Sequence, residues 1–301
     1  MRLSSELAWG WPFWGGPGTW TGVIISESGE ILTHSHALRG APVVNMELWD
    51  GTQAQACVTG RDDDTGTALL KPLVEPARSY DYLAVAGDGA AFGERLTLLQ
   101  HKPYEHLDER GTQVIGHVAS GTGYPYFRID VPDDSAADGA VLLNGSGEVQ
   151  GIRMPRDLLR FREIGNAGEV YAADAPQIAD IALPLLRSGR IHVESWHHRH
   201  HGARESVVTP IPLIFHGAIT VDGAPAPTDS TVYARVSKEG QLDDWIGERI
   251  SEAGRYVLSV SVPSNYYVGA TVEFWLDCRR FSTTAVFEHA PGSVVELDLS
   301  F

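Results

Sequence analysis

Short runs of β-forming residues, separated by turns that contain glycine, dominate the first 190 residues of the chain. Strands of this length and spacing are typical of an all-β sandwich or barrel. In one stretch, residues 175–190, the apolar side chains instead recur every three to four residues, and Gly189 stands near its end. That pattern predicts a single late helix. The segments that predict strands are 21–26, 30–34, 43–51, 55–60, 67–72, 95–100 and 141–152.

The last hundred residues also predict strands, in longer runs that alternate apolar and polar positions. Residues 230–236, 254–263 and 271–278 show this alternation, and Asp222-Gly223 is a turn signal. A small antiparallel sandwich of about seven strands fits this length. Between the two parts, five of the twelve histidines fall within residues 192–201. The sequence therefore predicts domains at 1–191 and 207–301, joined by a His-rich linker at 192–206.

Composition and charge exclude several classes of protein. Lysine and arginine number 23 against 39 aspartates and glutamates, which gives a net charge of −16. Because phosphate binding needs clustered positive charge, nucleic acid is not the expected partner. The sequence has no apolar run of about 18 residues, so no membrane-spanning segment is predicted. Its two cysteines are too few for a disulfide framework or a cysteine-rich zinc site.

The amino-terminal residues carry no unbroken apolar stretch and no small-residue cleavage site. For the chain as it stands, this favours the cytoplasm. An extracytoplasmic location is expected if the chain is a processed form.

Four ordered segments carry a family resemblance. They read GTWTGVIISESGEILTHSHAL (18–38), DDDTGTALLKP (62–72), IDVPDDSAADGAVLLNGSGEVQGI (129–152) and YAADAPQIADIALPLLRSGRI (171–191). Together they resemble trypsin-like serine proteases of the HtrA (Deg) type. The resemblance implies an all-β fold with a trypsin-like double β-barrel and one late helix. It places His36 on the catalytic histidine, Gly66 on the triad aspartate and Asp138 on the nucleophilic serine.

The departures from the family pattern predict the loss of catalysis. Triad chemistry needs a nucleophilic hydroxyl or thiol, a histidine base and a carboxylate that orients the histidine. Of these only His36 remains, and Ala136 replaces a glycine of the turn that aims backbone amides at the oxyanion. We therefore interpret the first domain as a pseudoprotease. Asp138 and His36 are expected to form an ion pair that raises the pKa of the imidazole.

A rearranged site is the alternative. Ser135 lies three residues before Asp138 and is a candidate displaced nucleophile, with His36 as its base. The three consecutive carboxylates of 62–64 are candidates to orient that histidine. The protein would then be an atypical serine endopeptidase.

Binding functions do not need a triad. The resemblance implies that a peptide can add as a strand to a barrel edge, so we expect a protein or peptide partner. The segment AWGWPFWGG (8–16) contributes a candidate binding surface, or else its rings pack over the barrel or against the second domain. Its aromatic residues are Trp9, Trp11, Phe13 and Trp14.

The His-rich linker allows two interpretations. Its imidazoles could bind zinc, nickel or copper, but the spacing lacks the second ligand group of a zinc finger. A solvated, pH-sensitive linker with no bound cofactor is the expectation. The candidate ligands are His197, His198, His200 and His201, with His192 and Glu194 nearby. A weaker candidate metal site combines His34 and His36 with Asp138.

The second domain resembles the transthyretin-like and carboxypeptidase-regulatory sandwiches. The resemblance rests on FHGAITVDGAPAPTDSTVYARV (215–236) and EAGRYVLSVSVP (252–263). Such modules bind or space their neighbours, and this one stands where HtrA proteases usually carry a PDZ domain.

Overall fold

The fold is taken from a computed structural model of the chain. It describes residues 1–4, 19–38, 40–48, 50–73, 79–101, 107–119, 123–131, 139–154, 169–189, 191–192, 212–239, 241–242, 246–262, 265–288 and 293–301. The described residues divide into two compact units. The larger unit holds those of 1–38 and 43–192, and the smaller holds mainly 212–301. Both units consist largely of strands, so the predicted all-β class is confirmed.

Eight strands form the first sheet of the larger unit, in the order β2-β1-β5-β6-β7-β4-β3, with β14 pairing in parallel with β6. Strand β4 has every residue buried, as expected for a strand inside a barrel wall. The strands are β1 (Arg2–Ser4), β2 (Thr19–Thr21), β3 (Val23–Ile24), β4 (Ile31–His34), β5 (Val43–Glu47), β6 (Gln53–Asp62), β7 (Thr67–Pro72) and β14 (Ile191–His192).

Six antiparallel strands close into a second barrel in the order β10-β13-β12-β11-β8-β9. Strand β8 alternates buried and exposed positions, which places one face in the barrel interior. One hydrophobic cluster joins Leu32 and Leu69 of the first sheet to Tyr126 and Ile152 of the barrel. The strands are β8 (Arg95–His101), β9 (Leu107–Ala119), β10 (Pro125–Ile129), β11 (Val141–Leu143), β12 (Val149–Arg153) and β13 (Val170–Asp174).

The late helix forms where the periodicity predicts it. A π-helical turn, Gln177–Ala182, continues into α1, Leu183–Arg187. Gly189 follows with a positive φ of 77°, which is the helix-stop conformation expected of it. Leu186 packs so closely on Gly60 of β6 that a side chain at position 60 would clash with its backbone. The π register was not predicted, because nothing in the three-to-four spacing distinguishes it from an α-helix.

The smaller unit has two sheets around one apolar cluster. Within the described residues they contain ten strands rather than the predicted seven, because β16, β18 and β24 are two-residue pairings that show no alternation. The first sheet has β15 (Leu213–Val221), β16 (Ala224–Pro225), β20 (Arg255–Val260), β23 (Val294–Glu296) and β24 (Leu299–Ser300). The second has β17 (Thr231–Lys238), β18 (Gln241–Leu242), β19 (Ile246–Arg249), β21 (Thr271–Leu276) and β22 (Arg279–Val286).

Packing in the smaller unit follows the alternation of its strands. Phe215 of β15 meets Phe274 of β21 edge to face, with ring centroids 5.1 Å apart. The predicted Asp222-Gly223 turn joins β15 to β16, and both residues have positive φ. The similarity of this unit to transthyretin-like modules stays a prediction.

Candidate active site

His36 lies on a 3₁₀ turn, Ser35–Leu38, that directly follows β4. Leu38 is buried and anchors the end of this turn, while His36 is half-buried and its Nδ1 is shielded from solvent. The imidazole is therefore held at the end of the first sheet, at the edge of the protein interior.

Gly66 ends the tight turn between β6 and β7 and lies beside the histidine segment. The Ser35 amide donates a hydrogen bond to the Gly66 carbonyl oxygen over 2.9 Å. Gly66 has a φ of 73°, in the left-handed region that glycine adopts most readily. The position that the resemblance assigns to the triad aspartate thus carries no carboxylate. An aspartate placed here would have to adopt a backbone conformation that costs roughly 1–2 kcal/mol.

Two of the three candidate orienting carboxylates are engaged within that same turn. Asp62 accepts a hydrogen bond from the Thr65 amide at 3.0 Å, which is typical of a side chain that stabilises a turn. Asp63 forms a buried bidentate ion pair with Arg61, at 3.0 and 3.2 Å. Their reorientation toward His36 stays a prediction.

His34, two residues before His36, is completely buried. Neither of its ring nitrogens has a hydrogen-bond partner in the part of the chain that the structure describes. Burial, together with the positive charges of Arg153 and Arg61, lowers the pKa of the His34 imidazole to about 3. The ring is therefore neutral at physiological pH.

Gly139 packs against the His34 ring. A Cβ built on Gly139 would stand 2.3 Å from Cδ2 of His34, and its φ is 77°. The Gly139 amide donates to the Arg153 carbonyl oxygen at 3.0 Å, which fixes this residue to β12. The structure thus brings the residue after position 138 against the strand that leads to His36.

Other predicted site residues lie outside the described part of the chain. These are Ser135, Ala136, Asp138, the aromatic residues Trp9, Trp11, Phe13 and Trp14, and the linker histidines His197, His198, His200 and His201. Their roles stay predictions, as does the Asp138–His36 ion pair. Among the described residues, no three histidines, cysteines or carboxylates form a group suited to a metal ion. None of the described helices has the length and hydropathy needed to cross a membrane.

Three buried polar residues around the site were missed by the sequence analysis. Arg61 and Arg153 lie at or next to the ends of their strands, where a charged residue usually indicates exposure to solvent. Gln177 belongs to the π-helical turn, and its amide donates to the Thr65 carbonyl oxygen at 3.3 Å. The one available signal was a charged or amide side chain inside a run that is otherwise apolar.

The first part of the chain matches a known family of protein domains. Residues 20–152 match the trypsin-like peptidase domain. That range contains β3 to β11 and both His36 and Gly66. The trypsin-like double β-barrel predicted for the first part of the chain is therefore confirmed.

Several bacterial serine proteases of the HtrA/DegP group are similar to this chain. A probable periplasmic DegP-like endoprotease of Pseudomonas fluorescens is 28% identical over 182 residues, which is 57% of this chain and 36% of that protein. The putative serine protease HhoB of Synechocystis is 33% identical over 150 residues, or 45% and 34% of the two chains. DegS of Haemophilus influenzae is 26% identical over 176 residues, or 57% and 51%. The chain thus spans about a third to a half of the length of these relatives.

A solved structure is also similar. The crystal structure of an inactive mutant of Rv3671c from M. tuberculosis has a TM-score of 0.46 and 17% identity, covering 61% of this chain and 85% of that one.

Proposed function

We propose that this chain is a catalytically inactive homologue of trypsin-like proteases that serves as a protein- or peptide-binding or structural module. The observation that carries the proposal is Gly66, which lies beside the His36 segment with no side chain and a left-handed backbone. Loss of the orienting carboxylate alone lowers the rate by about 10⁴-fold in the best-studied triad.

The residue at the nucleophile position supports the same proposal. The resemblance puts Asp138 there, and a carboxylate has no hydroxyl proton for His36 to remove. Restoring a serine at position 138 would leave Gly66 and Ala136 unchanged. Two separate requirements, orientation of the base and the oxyanion turn, would still be unmet.

An apolar groove in the larger unit supports peptide binding. It has a volume of about 230 Å³ and lies where β2 and β3 meet residues 81–83 and the second barrel. Val23, Ile24, Leu83 and Leu99 line it, and the half-exposed ring of Tyr82 stands at its rim. An extended peptide could place one apolar side chain in such a groove. Strand addition would have to use the first sheet, because the second barrel is closed.

Labelling with a fluorophosphonate, followed by intact-mass measurement of the full chain, tests the proposal. We expect no adduct and no cleavage of an unfolded protein substrate, with an active trypsin-like protease as positive control. An adduct on Ser135 that disappears in His36→Ala would contradict the proposal. It would identify the alternative, an atypical serine endopeptidase.

A second test uses Asp138→Ser. This variant should remain inactive, because the triad carboxylate is still missing. Measurable peptide cleavage by Asp138→Ser would show that the rest of the site is competent, which would overturn our explanation from Gly66.

A further inference from the structure

Beneath the His36 segment lies a row of polar side chains that the proposed function does not use. His34 of β4 is paired in register with Thr67 of β7, and Thr67 is paired with Asp62 of β6. Directly opposed residues of neighbouring strands project to the same face of a sheet. All three residues are at most 1% exposed. The row therefore lies in the protein interior, where every polar atom needs a partner.

The π-helical turn adds a fourth side chain to this row. Gln177 donates from its Nε2 to the carbonyl oxygen of Thr65, and the Thr65 hydroxyl is 2.8 Å from the Thr67 hydroxyl. Gln177 is thus two hydrogen bonds away from the residue that is paired with His34. Single π-helical turns are frequent at functional sites, and this one directs a buried amide at the row.

Several polar atoms around the row have no partner among the described protein atoms. They are both ring nitrogens of His34 and Oε1 of Gln177. Each belongs to a side chain that is at least 97% buried. Buried polar groups in folded proteins are almost always hydrogen-bonded, to protein or to ordered water.

The chemistry of these atoms selects the ligand. A neutral imidazole has one nitrogen that donates and one that accepts. Gln177 Oε1 can only accept. An anion would satisfy the donors alone, and a metal ion would satisfy the acceptors alone. Water both donates and accepts, and it is the small molecule that satisfies the whole set.

We propose that His34 and Gln177 bind internal water between β4 and the π-helical turn. This water bridges the strand that leads to His36 to the helix that closes the domain. It supplies the hydrogen bonds that let a neutral imidazole occupy the interior beside Gly139.

A crystal structure of the full chain at a resolution that defines ordered water tests the proposal directly. We expect a peak within about 2.7–3.2 Å of a His34 ring nitrogen and of Gln177 Oε1. A bromide soak distinguishes water from an anion, because only bromide gives an anomalous peak. A bromide at this position would overturn the proposal. The proposal would also be overturned if both ring nitrogens of His34 were hydrogen-bonded to protein atoms, or if no electron density for water appeared beside His34.

A solution measurement gives an independent test. Water-¹⁷O relaxation dispersion counts water molecules that exchange slowly from the interior. His34→Leu removes both ring nitrogens with little change in volume, and we expect it to lower the count. The matched control is Leu32→Met on the same strand, which changes shape without removing a polar atom and should leave the count unchanged. An equal count in wild type and His34→Leu would contradict the proposal. If His34→Leu fails to fold, the wild-type crystal structure still decides.

Discussion

At the centre of the smaller unit, Phe215 and Phe274 meet edge to face inside a cluster of aliphatic and aromatic side chains. Beneath the His36 segment of the larger unit, the interior instead contains His34, the Arg61–Asp63 ion pair and Asp62. Both regions are built from antiparallel strands, and both are shielded from solvent. The difference is that the first is an apolar cluster, whereas the second is polar and charged.

This difference shows that the two interiors are stabilised in different ways. The apolar cluster is stabilised in proportion to the surface it removes from water, without dependence on protonation. The polar interior depends on directed hydrogen bonds and on the charge state of each group. A buried ion pair is costly to break but contributes little compared with apolar packing. We expect mutation of the apolar cluster to act through lost volume, and mutation of the polar interior to act through lost contacts and a changed pH dependence.

The largest expected effect concerns the apolar cluster of the smaller unit. Phe274→Ala removes a fully buried ring and should destabilise the smaller unit by about 3–5 kcal/mol. Hydrogen exchange of peptides from β17 and β21 measures the change. Val257→Ala is the matched control, because Val257 is 62% exposed and its truncation should be nearly neutral. If Phe274→Ala and Val257→Ala lost the same protection from hydrogen exchange, the apolar cluster would not be the main source of stability of the smaller unit.

Gly139→Ala tests the contact between the nucleophile segment and His34. Its Cβ would collide with the His34 ring at a positive φ, so we expect a loss of about 2–4 kcal/mol in the larger unit. In a His34→Ala background the cost should fall by about 1–3 kcal/mol, because the colliding ring is gone.

Urea unfolding of the single and double variants measures this coupling. Gly145→Ala is the control, since a Cβ there meets nothing within 4 Å. If the free-energy costs of Gly139→Ala and His34→Ala were strictly additive, the clash with the His34 ring would be relieved by movement of other parts of the structure.

The next largest effect is the pH dependence of stability, which we expect of the polar interior but not of the apolar cluster. The His34 pKa is about 3 in the folded chain and about 6.5 when unfolded, so the unfolded state takes up the proton first. Stability is therefore present above pH 6.5 and is lost as the pH falls toward 3, by about 1.4 kcal/mol per pH unit. Burial also lowers the pKa of His101, to about 4, which adds a loss of the same sign.

His34→Gln should remove about half of the slope that these two histidines produce between pH 6 and pH 4.5. Denaturant unfolding at a series of pH values measures it, with the exposed His117→Gln as control. An unchanged slope in His34→Gln would show that His34 does not titrate as its burial requires.

The smallest expected effect concerns the surface of the larger unit. Arg187 of α1 forms a bidentate ion pair with Glu30, at 2.9 and 2.7 Å, but half of its side chain is exposed. Arg187→Met should cost no more than about 1 kcal/mol at low salt, and less at high salt. Thermal unfolding at two ionic strengths checks this. A salt-independent loss of several kcal/mol would contradict this prediction. It would mean that the half-exposed Arg187–Glu30 pair behaves like the buried Arg61–Asp63 pair.

Much of the fold could be read from the sequence, because it follows from local periodicity. The alternation of 230–236 predicts β17, and the three-to-four spacing of 175–190 predicts the late helix with Gly189 as its stop. The two-residue strands of the smaller unit could not be read, since a pairing of two residues leaves no pattern. The π-helical turn could not be distinguished from an α-helix, because both show the three-to-four spacing.

Only part of the candidate site could be predicted from the sequence. Motif spacing assigns His36 and Gly66 their positions, because each stands at a fixed distance from framework residues. The environment of His34 was not accessible: it depends on Thr67, Arg61 and Gly139, which belong to three other segments. Long-range contacts of this kind have no local signature.

By itself, the sequence determined the strand-rich class, the late helix and the absence of a carboxylate at position 66, since these depend on residue identity and local spacing. Only the tertiary structure decided that Gly66 adopts a left-handed backbone beside Ser35, and that a neutral histidine is buried against Gly139. The physical reason is that backbone conformation in a turn and the protonation of a buried group both depend on neighbours brought together by folding.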